Sequence, residues 1–189
     1  MKALKQLDLP AALRTRRLLL RRWSATDLAP LARINADPEV TRYLGGGGRP
    51  LSEQETEALL ASFLEHWQEW GYGYWALERL DAARLIGFLG LGHHRWYPGE
   101  VEIGWRLERA AWNQGLATEG AAAVLDQAFT RLELDHVIAV IHRDNAASRR
   151  VAEKSGLRVD RHETRIDEET GRELPILVYR MDRSGPQVR

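Results

Sequence analysis

The sequence contains no cysteine. Disulfides, thiolate metal sites and a cysteine nucleophile are therefore excluded, so no acyl group can ride on a thiol of this chain. It has no surplus of charge either: 27 Lys and Arg balance 27 Asp and Glu. That balance argues against a nucleic-acid binder, which needs excess cations to meet phosphates. It leaves room for a local basic pocket around a small phosphorylated ligand. No apolar run approaches the roughly 18 residues of a membrane span. No signal-peptide core of ordinary length follows Met1, and a soluble, cytoplasmic protein is the expectation. There is no internal repeat, no Gly-Lys-Ser/Thr phosphate loop and no three-glycine dinucleotide fingerprint.

What remains is of ordinary make-up. The chain has 189 residues, 44% of them apolar, which suits one domain over residues 1–189 with a full core. Residues 1–14 read as a loose leader. Arg17 to Trp23 reads as a strand, and Ser24 and Thr26 are N-cap candidates for a helix to about Ala36. Asp37-Pro38 ends that helix. The tetraglycine stretch Gly45 to Gly48 reads as a mobile loop. Ser52-Glu53-Gln54-Glu55 is a capping box opening a helix to about Trp70, with Leu59, Leu60, Phe63, Leu64 and Trp67 as its apolar face. Strands follow at Tyr72 to Glu78, Arg84 to Gly92 and Val101 to Leu107. A helix from about Thr118 to Leu132 leads to His136–His142, a continuously apolar run typical of a strand buried on both faces. A helix from Asn145 to Ser155 stops at Gly156. Two last strands lie near Leu157–Arg165 and Leu174–Met181. The order β-α-α-β-β-β-α-β-α-β-β describes a mixed α/β sheet, antiparallel first and then crossed by a strand–helix–strand unit.

Two motifs carry chemistry. The strand Val101-Glu102-Ile103-Gly104-Trp105 runs through a loop into Gln114-Gly115-Leu116-Ala117 and a helix. Unpaired amides and the positive end of the dipole make such a helix start an anion site. Gly115 admits close backbone approach, although an ordinary tight turn would look the same. The second motif, His142 to Leu157, follows the buried strand and puts Asn145 and Ser148 three apart at a helix start. Asn145 is an N-cap candidate. Both can also face the carboxyl end of the preceding strand, where open α/β sheets bind ligands.

In order along residues 16–181, the pieces Arg17-Leu18-Leu19-Leu20-Arg21 with Asp27, Asp37-Pro38-Glu39-Val40, Ile86-Gly87, Glu102-Ile103-Gly104-Trp105, Gln114-Gly115-Leu116-Ala117-Thr118-Glu119 and Asn145 to Gly156 resemble the GNAT superfamily of N-acetyltransferases. The branch they resemble is the one typified by the ribosomal-protein N-terminal acetyltransferases RimJ and RimL. The resemblance implies a mixed, mostly antiparallel sheet splayed between two parallel strands, here Val101–Leu107 and His136–His142, with helices on both faces. It implies acetyl-CoA as cofactor. Main-chain groups of Ile103, Trp105 and Leu107 would meet its pantetheine amides, and amides of Gln114, Gly115, Leu116, Ala117 and Thr118 its pyrophosphate. Asn145 would hold the arm, and Ser148 would serve the leaving sulfur. The family loop begins with Arg or Gln three residues before the glycine; Trp112 stands there instead. The implied acceptor is a primary amine, either a peptide N-terminus or a small molecule. A homodimer is the expected assembly, and no nucleic acid, membrane or metal partner is expected.

The chemistry needs positioning, a proton acceptor and stabilisation of developing charge. Glu102 sits mid-strand, where a carboxylate is seldom buried without reason. Desolvation would raise its pKa toward useful values for a base; a salt bridge to Arg106 or to a neighbouring strand is the competing account. His93 and His94 point to opposite faces of a strand and make a poor chelate. One of them, or His142, is an alternative base, as is water. Arg149, Arg150 and Lys154 either meet the 3′-phosphate or form a solvated face. A non-catalytic acyl-CoA sensor would keep Gln114–Thr118 and lose the proton-handling groups.

Overall fold

The structure is a computed structural model and describes residues 9–183. Its strands are β1 (Ala12–Arg14), β2 (Leu18–Arg21), β3 (Tyr74–Arg79), β4 (Arg84–His93), β5 (Val101–Leu107), β6 (His136–His142), β7 (Arg158–Ile166) and β8 (Glu173–Asp182). All eight join one sheet in the order β1-β2-β3-β4-β5-β6-β8-β7. Every neighbouring pair is antiparallel except β5–β6, which is parallel. The helices are α1 (Leu28–Asn35), α2 (Pro38–Thr41), α3 (Glu53–Trp70), α4 (Leu116–Thr130) and α5 (Ala146–Lys154).

Alternation along the strands divides the core between two faces. On β3, Trp75 and Leu77 pack with Leu89, Leu91, Ile103 and the α4 residues Ala121 and Val124. Ala76, between them, packs on the other face with Phe88, Leu31 and Ile34 of α1 and Leu60 and Phe63 of α3. The predicted mixed sheet with helices on both faces is therefore the one observed.

The capping box forms as read: Ser52 Oγ accepts the Glu55 N–H and Glu55 Oε2 accepts the Ser52 N–H. Gly71, in the left-handed region, closes α3. Leu60, Phe63 and Trp67 are buried, but Leu64 is exposed, because the apolar stripe is narrower than the five residues suggested. Ser24 caps a 3-10 turn with Asp27, and α1 starts only at Leu28. The leader reading fails for residues 9–14. Leu9 is buried and β1 pairs with β2; residues 1–8 of that expected leader lie outside the described residues. The tetraglycine stretch has a defined turn, held where the Gly46 N–H donates to Asp167 Oδ2 at 2.8 Å. Long-range pairing, invisible in a local window, sets both.

Candidate active site

β5 and β6 share a single registered pair, Glu102 with Ile138. From there the two parallel strands part toward their carboxyl ends, forming a V whose apex is Glu102. Which β5 groups face the V follows from alternation. The Glu108 N–H donates to the Ile86 carbonyl, so Leu107 and Gly87 form a non-hydrogen-bonded pair and the Leu107 main chain turns away from β4. By the same parity, Trp105 and Ile103 turn their main-chain groups toward β6. The Leu107 carbonyl is already taken: Trp112 Nε1 donates to it at 2.9 Å. That narrows the Leu107 expectation to its N–H and gives the atypical Trp112 a function in shaping the loop.

The open end of the V is lined by helix starts. β5 leads through the loop to α4, and β6 leads directly to α5, which packs against α4. Gly115 is the N-cap of α4 at φ +74°, a conformation in which a side chain would be strained. The first helical bond runs from the Glu119 N–H to the Gly115 carbonyl. The amides of Leu116, Ala117 and Thr118 precede it and have no helical acceptor of their own. The Gln114 side chain faces the protein, not a ligand: Nε2 donates to the Ala110 carbonyl at 2.7 Å and Oε1 accepts Arg79 Nη1 at 2.9 Å.

Sequence reading missed what fixes this cradle. The Glu119 carboxylate accepts the Thr15 hydroxyl at 2.6 Å, the Arg17 N–H at 2.8 Å and Arg17 Nε at 2.7 Å. Arg17 Nη1 also donates to the Gln114 carbonyl at 2.9 Å. Burial alone would raise the Glu119 carboxyl, but the Thr15 and Arg17 bonds outweigh it and hold it below the ordinary value. The partners lie about a hundred positions apart in sequence, so no local signal reveals them.

Glu102 is half-buried at the apex, and its Oε1 accepts the Val140 N–H at 3.2 Å. Desolvation by the surrounding strands outweighs that bond and pushes its pKa up to about 8. The salt-bridge account does not hold, since Arg106 Nη1 donates to Asn35 Oδ1 at 2.7 Å instead. Asn35 Nδ2 continues to Thr56. Burial lowers Arg106 to about 10.

Asn145 caps α5 as read, its Oδ1 accepting the Ser148 N–H at 3.1 Å. Among the described residues, the Asn145 amide nitrogen and the Ser148 hydroxyl have no partner. His93 is exposed and meets Tyr72 Oη at 2.8 Å. Burial, then the charges of Arg95 and Arg165, lower His94 to about 4, and its Nδ1 accepts the Trp96 N–H. His142, at the mouth of the V, lies against Tyr43 and accepts the Asp144 N–H. Arg149 bonds Tyr179 Oη and the Arg143 carbonyl, while Arg150 and Lys154 are exposed. No described helix is long and apolar enough to cross a membrane.

Comparison with known proteins shows the family and the fold. The profile of the acetyltransferase (GNAT) domain matches residues 17–158. The uncharacterized N-acetyltransferase YoaA of Bacillus subtilis is 32% identical over 144 residues, covering 76% of this chain and 81% of that protein. The acetyltransferase from Agrobacterium tumefaciens is 32% identical and superposes with a TM-score of 0.76 over 92% of this chain and 95% of its own. Mycobacterium smegmatis RimJ, solved in complex with CoA-disulfide, shares the fold at 18% identity, with a TM-score of 0.76 over 90% of this chain and 86% of that one.

Proposed function

We propose, from the premise that this chain belongs to the GNAT family of N-acetyltransferases, that it transfers an acetyl group from acetyl-CoA to a primary amine by direct attack in a ternary complex. The observation that carries the reading is the V between β5 and β6, with a carboxyl at its apex and two helix starts at its mouth. The fit to acetyl-CoA rests on the main chain of Ile103, Trp105 and the Leu107 N–H, turned toward the gap, and on the amides from Gly115 to Thr118 at the α4 terminus. An extended amide-bearing arm suits the first set, and a pyrophosphate suits the second.

The bound donor supplies an acyl thioester. In this reading the chain's residues do the rest. Glu102, as carboxylate, takes a proton from the ammonium of the acceptor; the nitrogen lone pair then attacks the thioester carbon. A C–N bond forms, the C–S bond breaks, and the second nitrogen proton passes to the departing thiolate, toward which the Ser148 hydroxyl donates a hydrogen bond as negative charge gathers there. Asn145, through its free amide nitrogen, steadies the arm. The lack of any cysteine supports direct attack rather than an acyl-enzyme. The acceptor is a peptide N-terminus or a small molecule, the compartment the cytoplasm and the assembly a homodimer.

Thiol release from acetyl-CoA, followed with a panel of amines that includes peptides beginning with Ala and Ser, tests the reading. Release with at least one amine is expected. A protein whose melting temperature acetyl-CoA does not raise contradicts it; stabilisation without turnover on any amine contradicts catalysis and leaves a sensor.

A further inference from the structure

On the sheet face that carries Glu102, four positions of β4 and β5 form a square: Gly90 stands opposite Gly104, and Gly92 opposite Glu102. Three corners are glycine, so Glu102 alone brings a side chain. Tyr74 of β3 lies across this floor. A Cβ at Gly104 would stand 2.8 Å from Tyr74 Oη, and one at Gly92 2.8 Å from its Cε2 and 3.3 Å from Oη. The phenol therefore rests on the strands and reaches the corner that Glu102 occupies. Any side chain at 92 or 104 would lift it off.

The residue is held in place by its neighbours. Phe63 and Phe88 pack on it, with centroids 4.9 and 5.5 Å away. Trp23 Nε1 and Trp67 Nε1 both donate to the Tyr74 carbonyl, at 2.8 and 2.9 Å. Its hydroxyl nevertheless has no hydrogen-bond partner among the described residues. Tyr74 is only partly buried, so a group entering the V can reach that hydroxyl. A firmly held ring with an unpartnered hydroxyl beside Glu102 is placed to meet an incoming group.

We propose that Tyr74 Oη is an acceptor-binding group: it accepts one N–H of the incoming primary amine while Glu102 takes the proton that must leave. This rests on the N-acetyltransferase reading above and adds to it a basis for selectivity. Burial, then the charge of Glu102, keeps the phenol protonated well above its ordinary range, so it remains a neutral hydrogen-bonding group. No covalent bond changes at Tyr74. After the ammonium loses its proton, a primary amine keeps two N–H groups. One meets Tyr74 and the other stays toward Glu102. An N-methylated amine keeps one and cannot satisfy both.

The test compares wild type with Tyr74→Phe on one primary amine and its N-methyl derivative, with acetyl-CoA affinity measured by calorimetry. The phenylalanine keeps the ring in its box. We expect kcat/KM for the primary amine to fall about 10- to 100-fold, as for one lost hydrogen bond to a charged or reacting group. The N-methyl amine should change less than twofold, and so should acetyl-CoA affinity. Equal losses on both amines, or no loss on either, overturn the assignment. A wild type that transfers acetyl to no amine overturns the activity itself, while its acetyl-CoA titration reports separately whether the V binds the donor.

Discussion

Replacing Glu102 by Gln removes a proton acceptor while keeping the shape of the apex and its bond from the Val140 N–H. Two consequences follow from a carboxyl pushed up to about 8. The first is kinetic. With the acceptor well below saturation, wild-type kcat/KM should rise about tenfold per pH unit below an inflection near 8 and level off above it. Glu102→Gln should lose that limb and run about 10²- to 10⁴-fold slower on the plateau. The second concerns stability. The folded carboxyl resists ionisation while the unfolded one ionises near 4.5. Wild type therefore loses stability relative to the variant as pH rises through that window, and the gap is complete above about 8. The rise from 4.5 sets a ceiling of about 5 kcal/mol. Glu102 is only half-buried, so screening at the V reduces this to roughly 2 kcal/mol. Urea denaturation of both proteins at pH 5 and pH 9 measures the gap. A pH limb that survives in the variant, or a gap that does not widen with pH, refutes the reasoning.

Ser148→Ala should lower kcat about 100-fold while acetyl-CoA affinity stays within twofold; weakened binding with unchanged kcat would refute the role given to the hydroxyl. Gly115→Ala forces a side chain into φ +74° and should lower stability by about 1–2 kcal/mol and acetyl-CoA affinity with it, measured by melting and calorimetry. Glu119→Ala strips Thr15 and Arg17 of their acceptor and should cost about 2 kcal/mol at neutral pH. Because the folded Glu119 carboxyl sits below its ordinary value, the difference from wild type should shrink as pH falls through the acid range. A loss that is constant with pH would mean that the pairing contributes nothing.

The sequence was most legible where short-range pattern decides structure. The limits of β5 and β6 match their predicted ranges, because β5 alternates apolar residues with others and β6 is a compact apolar run, each bounded by turns. The strand pair that splays was likewise identified, through the resemblance and not through the pattern itself. β1 escaped because three residues have no periodicity; pairing with β2 and the burial of Leu9 make it a strand. Glu102 was recognised as unusual, yet its partner was misjudged. Four residues along a strand, Arg106 lies on the same face, but Asn35, distant in sequence, claims it. In the sequence Tyr74 is one aromatic among many between Trp67 and Trp105. Only the glycines at 92 and 104, on two neighbouring strands, distinguish it. The Thr15–Arg17–Glu119 contact was equally hidden, since it joins segments a hundred residues apart.

The single β5–β6 pair also has a mechanical meaning. Strands β1 to β5 and strands β6 to β8 are two half-sheets, stitched together at one point and bridged by α4. A ligand lying in the V would serve as the missing strand between them. Its binding energy would then be spent across the seam, stiffening the joint between the halves as well as filling a pocket. Donor occupancy would thus set how firmly Glu102 and the floor beneath Tyr74 are held when the amine arrives, so an ordered encounter, donor before acceptor, is the natural consequence of a sheet built with a gap.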